Sequence, residues 1–354
     1  MLIDFVQKKE FTEDKKNLFI VSNTFQLLNA IEAQSYFNTK NNVLVLLFFG
    51  TKKGNQKNID KYIELFPYTQ LITLQVLSIS KLKETVELLN LISKFEYNKV
   101  FTGFFSHNYK RILCNLKYEK LYLVDDGIYT FTVHCEMYDP LYKAKRKKDS
   151  LIKRFYNIYR TLYLSLYNYS NNFNGIKLNF FTVYPLDTYR DEETVNHSYI
   201  KLKQMFAKKS NADCNIDENT VFFLGQPLSH ISRAEYIHHL ENINQFYKNK
   251  NLVLNYILHP AESEKFSQEL QSRNIKIHVV DEPFELYFLK CKNIKNIASF
   301  FSSALFNIMV LDSKVNIDSF QLPAPIVDRP TVQDLYKFFD KHGIPVYQVE
   351  QIDK

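Results

Sequence analysis

At 354 residues the chain is too long for one ordinary core and suits two domains, and its 45% hydrophobic and 15% aromatic content excludes general disorder. Its net charge of +7 is modest and concentrates at Lys143, Lys145, Arg146, Lys147 and Lys148, followed by Lys153, Arg154 and Arg160. One basic cluster without a recognition module argues against nucleic-acid binding. Cys114, Cys135, Cys214 and Cys291 are widely spaced, with no C-x-x-C pair, which argues for a reducing compartment and against a disulfide framework or a zinc site. Neither a secretory apolar region nor a membrane-length apolar run is present, so a cytoplasmic location is expected.

In chain order, residues 17–21 form an apolar run that predicts a strand, and residues 24–36 carry Phe25, Leu28 and Ile31 at helical spacing. Residues 43–49 read as the next strand, 59–66 and 82–95 as helices, and 99–102 and 120–124 as strands. Strands separated by helices imply βαβ units and a mostly parallel sheet. Beyond Gly127 the pattern changes. Residues 141–170 are basic and rich in Tyr and Leu at helical spacing, and 206–219 are polar and turn-rich, as a linker would be. A second alternation follows: strands at 221–224, 252–258, 275–280 and 296–300, helices at 232–247, 263–272 and 284–289, and a last helix at 331–341. The expected fold class is therefore α/β, with two Rossmann-like domains facing each other across a cleft, the architecture called GT-B among glycosyltransferases. Its expected parts are an N-terminal domain at 1–205, with a basic helical insertion at about 141–170, a linker at 206–219, a C-terminal domain at 220–330, and a helix and tail at 331–354.

Several motifs stand at strand ends, where α/β sheets bind ligands. Asp125-Asp126-Gly127 follows a strand directly; adjacent carboxylates repel, which raises one pKa and suits a general base, although the same triplet also makes an ordinary turn. The chain contains no Asp-x-Asp triplet to grip a cation. His259-Pro260 closes the run at 252–258, so its imidazole is placed to hydrogen-bond or protonate a phosphate oxygen; a lone His-Pro is more often structural. Ser302-Ser303 precedes a helix and reads as an N-cap able to hold an anion. Glu285 lies in a first helical turn, as a dipole partner or a ribose ligand. Gly225-Gln226, Asn23 with Gln26, and His107 occupy further strand ends, each readable as a plain loop. The stretch 143–160 is either a solvated helix face or an interfacial amphipathic helix.

In this order, Asn23-Thr24-Phe25-Gln26-Leu27-Leu28-Asn29-Ala30, Asp125-Asp126-Gly127, Gly225-Gln226-Pro227-Leu228, His259-Pro260, Pro283-Phe284-Glu285 and Ser302-Ser303 resemble the bacterial lipooligosaccharide and capsule sialyltransferases, glycosyltransferase family 52. The resemblance implies inverting transfer of N-acetylneuraminate from CMP-N-acetylneuraminate to a terminal galactoside, with α2,3 linkage and no metal or other cofactor. On that resemblance Asp125 would be the general base, with Asp126 supporting it or exchanging roles; by its position shortly after Gly225-Gln226-Pro227-Leu228, Glu235 is another carboxylate able to reach the cleft as base. His259 with Pro260, Ser302 and Ser303 would bind the CMP phosphate, Glu285 the ribose, and Gly225 and Gln226 the nucleotide side. Asn23, Gln26 and His107 would face donor sugar or acceptor. The expected partners are donor, glycan acceptor and the anionic inner membrane face, with a homodimer allowed and nucleic acid excluded. The alternatives are a sister transferase using another CMP-nonulosonate or nucleotide sugar, and a non-catalytic glycan-binding or envelope-assembly protein.

Overall fold

The computed structural model describes residues 3–7, 15–49, 53–76, 82–138, 151–187, 191–207, 216–227, 231–259, 261–291, 293–323 and 330–349. The chain forms two compact units, Met1–Leu202 and Lys203–Lys354. Each carries one largely parallel sheet.

In the first unit, β1 (Ile3–Gln7) and β2 (Lys16–Val21) lead into α1 (Thr24–Tyr36), β3 (Asn42–Phe49), α2 (Lys53–Tyr62), β4 (Gln70–Val76) and α3 (Leu82–Ile92). Then come β5 (Glu96–Thr102), α4 (His107–Leu113), β6 (Lys117–Val124), α5 (Ile128–Tyr138), α6 (Leu151–Ser165), β7 (Asn179–Thr182), β8 (Thr194–Asn196) and α7 (Ile200–Phe206), in which the division between units falls. The strand order is β1-β4-β3-β2-β5-β6-β7-β8, and only β1 against β4 is antiparallel among the described pairings. The chain thus winds outward from β2 in one direction, returns, and winds outward from β5 in the other. Every residue of β2 is buried, as a central strand covered on both faces requires. Its aromatic content is spent on a cross-strand ladder: register partners Phe19, Phe101 and Tyr122 stack at 4.4 Å and 5.4 Å between ring centres.

In the second unit, β9 (Thr220–Leu224), α8 (Arg233–Lys248), β10 (Val253–Ile257), α9 (Glu264–Ser272), β11 (Lys276–His278) and α10 (Phe284–Lys290) precede β12 (Asn296–Ser299), α11 (Ala304–Leu311), β13 (Asn316–Gln321), α12 (Pro330–Lys341) and β14 (Val346–Gln348). The order β11-β10-β9-β12-β13-β14, parallel throughout, is that of a dinucleotide-binding fold. β9 is buried along its whole length. Two of the helices start where short polar side chains cap them: in α8 Ser232 accepts from Glu235 N–H, and in α9 Ser263 accepts from Phe266 N–H.

Two features depart from a plain Rossmann pair. α6 buries Leu164, but Ile152, Phe155, Tyr156, Tyr159 and Leu162 expose more than half of their surface along one stripe. Lys143 to Lys148 and Pro260 lie outside the described residues, as does most of the expected linker. Cys291 is disulfide-bonded, against the expectation of a reducing compartment without a disulfide framework, whereas Cys114 and Cys135 are free. No helix among the described residues is long and apolar enough to cross a membrane.

Candidate active site

In the second unit the sheet reverses its winding between β9 and β12, so the loops leaving their carboxyl ends splay apart and open a crevice. Gly225 and Gln226 leave β9, His259 follows β10, and Phe301 to Ser303 follow β12. One network ties the three loops. Gln226 Oε1 accepts from Phe301 N–H (3.0 Å) and lies 3.4 Å from Ser299 Oγ, whose hydroxyl donates to Leu224 O (2.7 Å). Gly225 N–H donates to Ile257 O (2.9 Å). Beneath them Tyr256 Oη donates to Glu262 Oε1 (2.7 Å) and lies 2.9 Å from Tyr236 Oη. Gly225 has to be glycine, since a Cβ there would meet Tyr256 Oη and stand 2.7 Å from Glu262 Oε2.

His259 receives the Ala261 N–H on Nδ1 (3.1 Å), so its neutral ring carries the proton on Nε2. Ser303 is the N-cap residue of α11 without a side-chain cap bond; Ser302 Oγ instead accepts from Ala304 N–H at 3.3 Å. Glu285 Oε1 accepts from Asn307 on the same α11 (2.8 Å), and burial pushes its carboxyl above the usual range.

The first unit repeats the pattern, with its reversal between β2 and β5. Asn23 follows β2 and Gly103 follows β5, while Asp125 and Asp126 follow β6. Gly127 at φ 61° turns the chain from β6 into α5. Asn23 caps α1 with Oδ1 and donates Nδ2 to Asp126 Oδ1 at 2.8 Å. Asp126 is pushed up to about 6, chiefly by burial; hydrogen bonds from Asn23 and Gln26 pull it down, and Asp125 adds only a small upward push. The expected charge repulsion is thus a minor cause and burial the main one.

Asp125 is 0% exposed. Its Oδ1 accepts from Thr182 Oγ1 (2.6 Å), its Oδ2 from Val183 N–H (2.8 Å), and His197 Nε2 lies 3.5 Å away. Such a carboxylate fastens β6 to the end of β7. Gln26 is equally enclosed: Oε1 accepts from Ser22 N–H (2.8 Å) and Nε2 donates to Gly103 O (3.4 Å), where any Cβ would collide with it. His107 opens α4, exposed, with its ring in a T-shaped arrangement with that of Phe173, 5.9 Å between ring centres. Glu235 is exposed in the first turn of α8.

The sequence profile of glycosyltransferase family 52 matches residues 69–322. The chain belongs to this family. No curated protein sequence matches it significantly. Among solved structures it is similar to TcCGT1 in complex with UDP (9% identity, TM-score 0.53, covering 95% of this chain and 86% of that one). It is also similar to the UDP-GlcNAc 2-epimerase of Methanocaldococcus jannaschii (14%, 0.50, 92% of each chain) and to Phytolacca americana UGT2 complexed with UDP-2fluoro-glucose and pterostilbene (10%, 0.50, 96% and 86%). At these identities the likeness is one of fold, and it agrees with the two parallel α/β domains: this family-52 glycosyltransferase has the GT-B fold.

Of the residues the sequence singled out in this glycosyltransferase, the structure connects Gln226 to His259 through Tyr236, Tyr256 and Glu262, ties Gln226 to Phe301 next to Ser302, and links Glu285 to the adjoining α11 through Asn307. It pairs Asn23 with Asp126 in the other unit. Two placements correct the expectation. Asp125, taken first for the base, and Gln26, taken to face a sugar, are both sealed inside the N-terminal domain by their own hydrogen bonds. Sequence reasoning missed Tyr256, Glu262, Thr182 and His197. Glu262 left a local signal, standing three residues after His259; Thr182 and His197 reach Asp125 only through the fold.

Proposed function

We propose that this family-52 glycosyltransferase is an inverting sialyltransferase, moving N-acetylneuraminate from CMP-N-acetylneuraminate to a terminal galactoside of lipooligosaccharide or capsule, with α2,3 linkage and without a metal ion. The observation that supports this most is the joined loop set of the C-terminal domain. There a histidine with Nε2–H, two serines at a helix start and a half-buried glutamate present the donors and acceptor that one phosphate and one ribose call for. In the reaction the acceptor hydroxyl gives its proton to a carboxylate while its oxygen bonds the anomeric carbon. The bond from that carbon to the phosphate oxygen breaks, and the electron pair leaves with CMP. His259, Ser302 and Ser303 hydrogen-bond that phosphate.

Asp126 is the base in this reading. It is half-buried rather than sealed, is oriented by Asn23, and its pKa of about 6 lies near working pH. A donor screen tests the assignment. CMP release from CMP-N-acetylneuraminate with a galactoside acceptor is expected, undiminished by excess EDTA, with no turnover of UDP sugars. Turnover of a different CMP-nonulosonate would keep the site and change the donor. Glycan binding without any turnover would leave a non-catalytic protein.

The exposed stripe of α6 follows the basic run 143–148, and residues 141–170 hold a single acid, Asp149. This combination fits an anionic lipid surface, so the reading includes peripheral contact with the inner membrane face. Wild type is expected to bind vesicles containing anionic lipid, and a variant with Lys143, Lys145, Arg146, Lys147 and Lys148 changed to Glu is expected to lose that binding. Equal partitioning of the two would sink the idea, and a concentration-dependent dimer without vesicle affinity would assign the stripe to a second copy.

A further inference from the structure

We infer that Glu262 is the positioning residue of the donor site: it holds the turn that aims His259 Nε2–H at the nucleotide phosphate, a role that rests on the reading of His259 as phosphate ligand. The turn is closed from both sides. Glu262 N–H donates to His259 O (2.8 Å), and His259 N–H donates back to Glu262 Oε2 (2.7 Å). Inside this loop Ala261 N–H reaches His259 Nδ1, which sets the ring's tautomer and limits its rotation.

The carboxylate is itself fixed from below. Its Oε1 takes the Tyr256 hydroxyl, Tyr256 meets Tyr236, and Gln226 N–H points to Tyr236 Oη at 3.5 Å. The same contacts thus run from the His259 turn to the Gln226 loop that binds the β12 end. Burial raises the Glu262 carboxyl, while the bonds from Tyr256 and the His259 backbone draw it back toward the charged form. Gly225 completes the arrangement, since a side chain there would occupy the space of the Tyr256–Glu262 pair. A carboxylate serving only to start α9 would not need this support, because Ser263 already caps that helix.

The test uses the full chain and three variants: Glu262→Ala, Glu262→Gln and Tyr256→Phe. The His259 tautomer is read by nitrogen-15 NMR without nucleotide, and CMP affinity by calorimetry. Glu262→Ala is expected to release the Nε2–H tautomer into a mixture and weaken CMP about tenfold, with an unchanged circular dichroism spectrum. Glu262→Gln keeps an acceptor for His259 N–H and is expected to restore most of both signals. Tyr256→Phe should weaken CMP about two- to threefold, which keeps the idea testable if the alanine variant does not fold. An unchanged tautomer and affinity in Glu262→Ala would overturn the inference, and so would a glutamine variant as impaired as the alanine one. If wild type binds no CMP, the function proposed above fails, while the NMR arm still decides the role of Glu262.

Discussion

Asp126→Asn is expected to lower the rate of CMP release by about 10²- to 10⁴-fold, the range for loss of a general base, and to raise thermal stability above pH 6. The two effects share one cause. Folding moves this carboxyl from 3.8 to about 6, so the folded state prefers its protonated form. Its contribution to stability is therefore complete below about pH 4 and is lost as pH rises through about 6; beyond that the buried charge costs at most about 3 kcal/mol. An asparagine never ionises, yet its carbonyl can still accept from Asn23 Nδ2. The melting temperature of the variant should exceed that of wild type by a few degrees on the order-of-magnitude scale at pH 7 to 8, with the gap closing near pH 4. In wild type kcat/KM should rise through about pH 6, and the residual activity of the variant should lack that limb. Calorimetry across this pH range and a pH–rate profile check both halves. A comparable loss at Glu235→Gln, with Asp126→Asn fully active, would move the base to the other domain.

The difference between what could and could not be read from the sequence follows the range of the interactions. Central strands such as β2 and β9 are covered on both faces, so they appear as unbroken apolar runs and were legible. β13, with the sequence Asn-Ile-Asp-Ser-Phe-Gln, and the three-residue β8 and β14 were not, because little local patterning marks a short or mixed strand near a sheet edge. The same holds at the site. His259, Glu285 and the serine pair sit at strand ends and helix starts, positions that local punctuation announces. The rank of Asp125 against Asp126 depended instead on Thr182, Val183 and His197, which approach from elsewhere in the fold and left no trace beside the motif.

Asp125→Ala should therefore act on folding rather than on chemistry. The change strips the acceptor from the Thr182 hydroxyl and from the Val183 N–H in a space that water does not reach, and leaves a cavity beside His197. Each stranded donor costs about 1–3 kcal/mol, so a total loss of about 3–5 kcal/mol is expected. The melting temperature should fall on the order of 10 °C, and whatever fraction stays folded should keep its pH–rate limb near 6, because Asp126 and Asn23 remain. Asp125→Asn, which retains one acceptor oxygen, should lie between the alanine variant and wild type in stability. The motif thus contains two neighbouring carboxylates whose removal should have opposite signs on stability: loss at Asp125, gain at Asp126. An Asp125→Ala protein that melts like wild type but releases no CMP would reverse the assignment and make the buried residue the base.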